Sequence, residues 1–139
     1  MERPLPRRCR FRHVREHGLS GRLRFYSGDF LNDDLPTADV LIMGRILHNW
    51  ELTTKKRLLK KAYRALPLGG ALIVYDALID DARRVRAHSL LASLNMLIET
   101  AGGFEYTDAE CRSWMQEAGF QKIRIESLGG KQTAVIGMK

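Results

Sequence analysis

Three residues able to exchange protons stand at comparable places in this chain. His48 sits in Leu47-His48-Asn49-Trp50, just after the apolar run Ala38–Met43. Asp76 ends the run Ile73-Val74-Tyr75-Asp76, and Glu105 follows the flexible pair Gly102-Gly103. A carboxylate beside an imidazole fixes its tautomer and raises its basicity, as a general base requires. Each residue alone reads equally well as a polar group near a strand end. Together they make an acid–base site only if the fold carries them to one rim. A fourth carboxylate, Asp29, follows Gly28 and precedes Phe30. It suits a hydrogen bond to an amine or hydroxyl of a nucleoside, with Phe30 against the base, although Gly-Asp is also an ordinary turn.

The elements needed to position these groups are legible as runs and periods. Ala38–Met43 and Ala71–Tyr75 are unbroken apolar runs, each preceded by a Pro-containing turn. Continuous rather than alternating hydrophobicity predicts strands covered on both faces, as in a parallel sheet. Between them, Leu58, Leu59, Ala62, Tyr63 and Leu66 follow helical spacing over Thr53–Leu66. Lys55, Lys56, Lys60, Lys61 and Arg64 are assigned to the opposite, solvated face. Strand, helix and strand make a βαβ crossover, whose carboxyl rim is where open α/β sheets hold ligands. Adjacent strands lie about 4.8 Å apart, so the loops leaving them emerge side by side.

Leu23–Tyr26 reads as a further short strand. A second helix is predicted over Asp81–Ile98, with Leu90, Leu91, Leu94, Leu97 and Ile98 as its stripe. A third begins at Thr107, where Thr107 and Glu110 have capping-box spacing, and ends at Gly119. Its buried face includes Cys111, which is thereby a small core residue rather than a reactive thiol. Lys122–Leu128 and Gln132–Met138 flank Gly129-Gly130 as a β-hairpin, which makes the sheet mixed.

Bulk composition narrows the function. A chain of 139 residues holds one domain, and it contains no apolar run long enough to span a membrane. Cys9 and Cys111 lack CxxC partners, so neither a metal site nor a disulfide framework is expected, and a reducing, cytoplasmic setting fits. Of the net charge of +7, the segment Met1–Arg24 carries +6, from eight Arg against Glu2 and Glu16. Residues 1–13 read as a basic, poorly ordered segment and 14–139 as the domain. On residues alone, a non-catalytic Rossmann-like binding module and a basic nucleic-acid-binding protein stay open beside an enzyme.

The motifs taken in order narrow this further. Gly28-Asp29-Phe30, Leu35-Pro36-x-Ala38-Asp39-Val40, Ile46-Leu47-His48-Asn49-Trp50, Pro67-x-Gly69-Gly70 and Gly102-Gly103-x-Glu105-x-Thr107 share one order and spacing. In these the chain resembles the C-terminal catalytic region of the S-adenosylmethionine-dependent small-molecule O-methyltransferases. The nearest likeness is to the family of plant phenolic, acetylserotonin and bacterial polyketide enzymes, and it runs from about Val14 to Lys139. The resemblance implies a partial Rossmann-like class I methyltransferase sheet in the α/β class, with S-adenosylmethionine as cofactor. It implies His48 as general base, with Asp76 and Glu105 flanking it. It also implies Gly28, Asp29, Phe30, Met43 and Arg45 on the cofactor side, and Asn95 and Met96 in the acceptor pocket. The implied partner is a small hydroxyl acceptor, without metal, nucleic acid or membrane.

Three departures stand against the family pattern. Asn49 replaces the acid usual after the His, Gly44 replaces a frequent Lys, and the upstream half is not in this sequence. That half would hold the Gly-x-Gly-x-Gly turn, the first strands, the ribose-binding acid and the helical domain through which relatives dimerise. Without its neighbours, the strand Ala38–Met43 is expected to be an exposed apolar edge.

Overall fold

The computed structural model describes residues 14–139. The basic segment 1–13 and Cys9 lie outside the described residues. The chain divides into two compact units between Asp33 and Asp34.

In the first unit residues 14–16 are helical, and the other described residues form turns and irregular chain. Leu23 N donates to Leu19 O at 3.0 Å, and Asp33 N donates to Asp29 O at 2.7 Å. Leu23–Tyr26 is not the strand expected of it. A strand exists through the ladder to its neighbour, and no described strand pairs with this segment. Its apolar side chains Leu23, Phe25 and Tyr26 are half or more exposed.

The second unit is a four-stranded mixed sheet with helices. Its strands are β1 (Val40–Gly44), β2 (Ala71–Asp76), β3 (Gln121–Ser127) and β4 (Thr133–Met138), in the order β1-β2-β4-β3. β1 pairs parallel to β2, with Ile42 opposite Ile73. β4 runs antiparallel between β2 and β3, so the hairpin enters the sheet through its second strand. β1 forms one edge, and Val40 and Ile42 are 49% and 64% exposed there.

The βαβ crossover is α1 (Leu52–Ala65). It buries Leu58, Leu59 and Ala62 and stops at Leu66, because the following Pro67 disfavours helical backbone before it. Lys55 corrects the sequence reading. It is buried to 0% exposure, not on the solvated face. The reason is the helical period itself, since position 55 lies three and four residues before Leu58 and Leu59 and shares their stripe.

The second helix, α2 (Ala87–Glu99), is shorter than the predicted Asp81–Ile98. The carboxylate of Asp80 accepts from the backbone N–H groups of Arg84, Val85 and Arg86, which ties this stretch into a turn with Arg83 at φ 52. The predicted Leu stripe is also corrected. Leu91, Leu94, Leu97 and Ile98 are more than half exposed, and the helix buries Ser89 and Met96 instead.

The third helix, α3 (Asp108–Ala118), has the predicted ends. Thr107 and Glu110 make the reciprocal capping box, and Gly119 closes the helix in the left-handed region at φ 112. Cys111 is fully buried on its inner face, and burial raises its thiol pKa well above the ordinary value, which keeps it an inert core residue.

Candidate active site

The site is built from three chain segments that meet at the carboxyl rim of β1 and β2. Beyond β1, Arg45 takes φ 54 and donates its N–H to Tyr75 O at 2.9 Å, which turns the chain off the sheet. A single 3-10 turn, Leu47–Asn49, follows. The fully buried Leu47 anchors it. Asn49 Nδ2 fastens it from within, donating to Arg45 O at 3.1 Å and Ile46 O at 3.4 Å. A carboxylate at position 49 could not donate these bonds, so Asn49 has a structural use here. His48 is held on this turn and is buried.

Asp76, the last residue of β2, is fully buried beneath it. Its Oδ2 accepts from the Tyr106 hydroxyl at 2.5 Å, and its Oδ1 lies 3.8 Å from His48 Nδ1. Glu105 arrives on the connection between α2 and α3. Gly103 makes that approach possible, since a Cβ there would stand 2.5 Å from the His48 carbonyl oxygen. Glu105 N donates to Ser93 Oγ at 3.1 Å, and Ile79 N donates to Tyr106 O at 2.9 Å, stitching the segment to α2 and to the chain beyond β2. Glu105 Oε1 then stands 2.7 Å from His48 Nδ1.

This geometry fixes the imidazole. A carboxylate can only accept, so Nδ1 carries the proton and donates to Glu105, leaving the lone pair on Nε2. Burial works against the charged imidazole. The hydrogen bond to Glu105 and the negative charges of Asp76 and Glu105 outweigh that, and Arg45 opposes them, so the pKa of His48 is raised above its ordinary 6.5. Burial lifts Asp76 to about 6, against the Tyr106 hydrogen bond and the His48 charge, with Glu105 adding to the rise and Lys55 opposing it. Burial and the nearby Asp76 raise Tyr106 well above its ordinary value, so it stays a neutral donor.

His48, Asp76 and Glu105 each offer an atom within 4.8 Å of the others. The 2.7 Å contact is of hydrogen-bond length and occupies the ring nitrogen on that side.

A cavity of about 780 Å³ opens over this set, lined by Arg45, His48, Ala92, Asn95, Met96 and Glu105 among others. Arg45, Asn95 and Met96 therefore share a space with the imidazole. Asp76 does not reach it and sits behind. Met43 lies in the sheet opposite Val74, nearly buried, and does not line the cavity. Gly28, Asp29 and Phe30 belong to the first unit. There the Asp29 carboxylate accepts from Leu31 N at 2.9 Å and from Asn32 Nδ2 at 2.7 Å, closing its own turn. Sequence reading missed Lys55, whose Nζ donates to Phe104 O at 2.8 Å directly below Glu105. The signal was its place on the apolar stripe of α1.

Glu105 Oε2 and Asp76 Oδ1 are buried without a hydrogen-bond partner. Of these two oxygens, one belongs to Glu105, which lines the cavity, and the other lies behind it on Asp76.

A parallel α/β crossover with an imidazole–carboxylate set at its carboxyl rim places that set where open α/β sheets hold small ligands. A family model for the O-methyltransferase domain matches residues 10–121, and the chain belongs to that family. It is 46% identical over 127 residues to the tetracenomycin polyketide synthesis 8-O-methyl transferase TcmO of Streptomyces glaucescens, covering 91% of this chain and 38% of that protein. It is 41% identical over 120 residues to the N,N-dimethyltransferase OxyT of Streptomyces rimosus, covering 84% of this chain and 35% of that protein. Human N-acetylserotonin methyltransferase, solved in complex with SAM, superposes with a TM-score of 0.78 at 31% identity over 87% of this chain and 36% of that one. The chain thus spans little more than a third of the length of the curated relatives it matches.

Proposed function

We propose that residues 14–139 form a partial catalytic domain of an S-adenosylmethionine-dependent O-methyltransferase, acting on a hydroxyl of a small phenolic or polyketide-like acceptor. The observation that carries this reading is the 2.7 Å bond from His48 Nδ1 to Glu105, which leaves Nε2 of this cavity-lining residue as the nitrogen able to act as base. When bound, S-adenosylmethionine supplies a methyl group made electrophilic by its sulfonium. Arg45 is the residue of this unit that would hold the cofactor beside the base; Met43 supports the strand behind it.

With the cofactor bound, His48 Nε2 would take the acceptor's hydroxyl proton, while the cofactor would give its methyl group to that oxygen and leave as a neutral thioether. Glu105 and Asp76 stabilise the imidazolium that results. Asn95 and Met96 line the same cavity as His48, which supports a part for them in holding the acceptor so that its oxygen is aligned for in-line attack. A cytoplasmic setting belongs to the same reading. The likeness to OxyT concerns the domain; a hydroxyl is preferred here because an imidazole base flanked by two carboxylates serves an acceptor that must lose a proton early.

His48→Ala tests the assignment. Transfer of labelled methyl from S-adenosylmethionine to a polyhydroxylated aromatic is expected to fall by roughly 10²–10⁴-fold, the usual contribution of a general base. Transfer retained within a few-fold in the variant refutes the role. Calorimetric titration with S-adenosylmethionine checks the cofactor separately.

A further inference from the structure

The first turn of α2 is left open. Arg86, the residue that leads into it, supplies no side-chain cap, and no acidic residue stands in that turn. Ala87 N donates to Val85 O at 3.1 Å, while Ser89 N and Leu90 N both donate to Arg86 O. The N–H of His88 has no partner among the described residues. A free donor at the positive end of a helix attracts an anion.

A second observation points the same way. Ser89 is 2% exposed, yet its hydroxyl makes no hydrogen bond among the described residues. Buried hydroxyls are ordinarily partnered. Ser89 lines a cavity of about 320 Å³ between the start of α2 and the β3–β4 turn, and Arg86, His88, Lys131 and Thr133 share its wall. Arg86 is braced there, with Nη1 donating to Leu78 O at 3.1 Å and to the buried Thr133 Oγ1 at 3.4 Å. No acidic residue lines this cavity. None of Arg86, His88 and Lys131 joins an ion pair among the described residues. Asp80, the acid on the preceding turn, is engaged by the N–H groups of Arg84, Val85 and Arg86 and stands outside the lining.

The neighbouring space says what the anion belongs to. His88, Gly130, Lys131 and Gln132 line both this cavity and the larger one that holds His48. His88, Ala92, Asn95 and Met96 follow helical spacing, so one face of α2 runs from the open turn to the acid–base set. From His88 to Met96 the helix rises by about 12 Å. Leu91, Ala92 and Met96 make the middle of that path apolar. One elongated molecule along this face brings a hydroxyl to the imidazole and an anionic end to the start of α2.

We propose that the start of α2, with Arg86, Ser89 and Lys131, is an anion subsite for the acceptor. The acceptor is then an aromatic hydroxy acid whose carboxylate lies on the order of 10 Å from the methylated oxygen. This names the acceptor class and rests on the methyl-transfer reading.

The test uses two probes on the 139-residue chain without cofactor. 6-Hydroxy-2-naphthoate carries its hydroxyl and carboxylate at opposite ends of two fused rings, and its carboxamide has the same shape without the charge. By calorimetry the acid should bind about tenfold or more tightly than the amide. The backbone N–H resonances of His88 and Ser89 should shift with the acid and stay in place with the amide. Lys131→Gln and Arg86→Gln should each bring the acid down toward the amide and leave the amide unchanged. If Arg86→Gln does not fold for want of its brace, Lys131→Gln decides alone. Equal binding of the two probes, no binding of the acid, or wild-type binding of the acid by Lys131→Gln overturns the proposal. So does displacement of the acid by inorganic phosphate at equal concentration, which would make this a free-anion site. Weaker S-adenosylmethionine binding in Lys131→Gln overturns it as well, because the carboxylate held would then be the cofactor's. These measurements involve no methyl transfer, so failure of the His48→Ala assay leaves them standing and the two readings are judged apart.

Discussion

Asp76→Asn should stabilise the protein while weakening its chemistry, and the gain should depend on pH. Burial lifts the Asp76 carboxyl from 3.8 to about 6, so the folded state disfavours its anion by about 3 kcal/mol. The sign follows from linkage. The folded pKa is raised, so the stability held by the protonated carboxyl is fully present below the unfolded value. It is lost as pH rises through the window from 3.8 to about 6. The amide removes that loss and can still accept from the Tyr106 hydroxyl, as Oδ2 does now. Its Nδ2 would stand where Oδ1 lies, 3.8 Å from His48 Nδ1, and a donor facing a donor returns part of the gain. The net expectation at about pH 7 is 1–3 kcal/mol of added stability, shrinking toward zero at about pH 4. Urea unfolding of both proteins across that range reads the difference directly. A difference that stays constant with pH, or a variant less stable than wild type at neutral pH, refutes the reasoning. Methyl transfer by the variant should fall even as its stability rises.

Glu105→Gln removes the hydrogen-bonded anion that holds the proton on Nδ1, and His48 should then titrate at a lower pH. Since only the neutral imidazole can accept a proton, the acid limb of the methyl-transfer profile should move down with it, with the plateau falling by about tenfold or more. Gly103→Ala places a Cβ 2.5 Å from the His48 carbonyl oxygen and 2.8 Å from the Asn49 carbonyl carbon. The connection must shift to relieve this, so the variant should lose about 1–3 kcal/mol on thermal or urea unfolding and lose activity disproportionately.

Much of the second unit was legible because its signals are local. The runs around Val40–Gly44 and Ala71–Asp76 and the capping box at Thr107 and Glu110 were each readable without tertiary knowledge. The meeting of His48, Asp76 and Glu105 was legible only through topology, because strand ends of a parallel pair must share a rim. What escaped was set by long-range or competing contacts. Lys55 lies on the apolar stripe by spacing, yet its charge assigned it to the wrong face until its carbonyl partner on Phe104 was known. The start of α2 yielded to the side chain of Asp80, which took three backbone donors that a longer helix would have used differently. Leu23–Tyr26 has strand-like composition, but a strand is a property of two segments, and composition shows only one.

The placement of β4 has a consequence for how this unit is made. The latest of the four strands in chain order is an inner one, wedged between β2 and β3. Lys139 then links to what came earlier, its Nζ reaching Tyr63 O at 2.8 Å and Leu66 O at 2.7 Å, and its N–H reaching Gly70 O at 2.8 Å. During translation β2 must therefore wait with one side unpaired until β4 has emerged from the ribosome. Deletions within β4 strike the keystone of the sheet rather than its fringe.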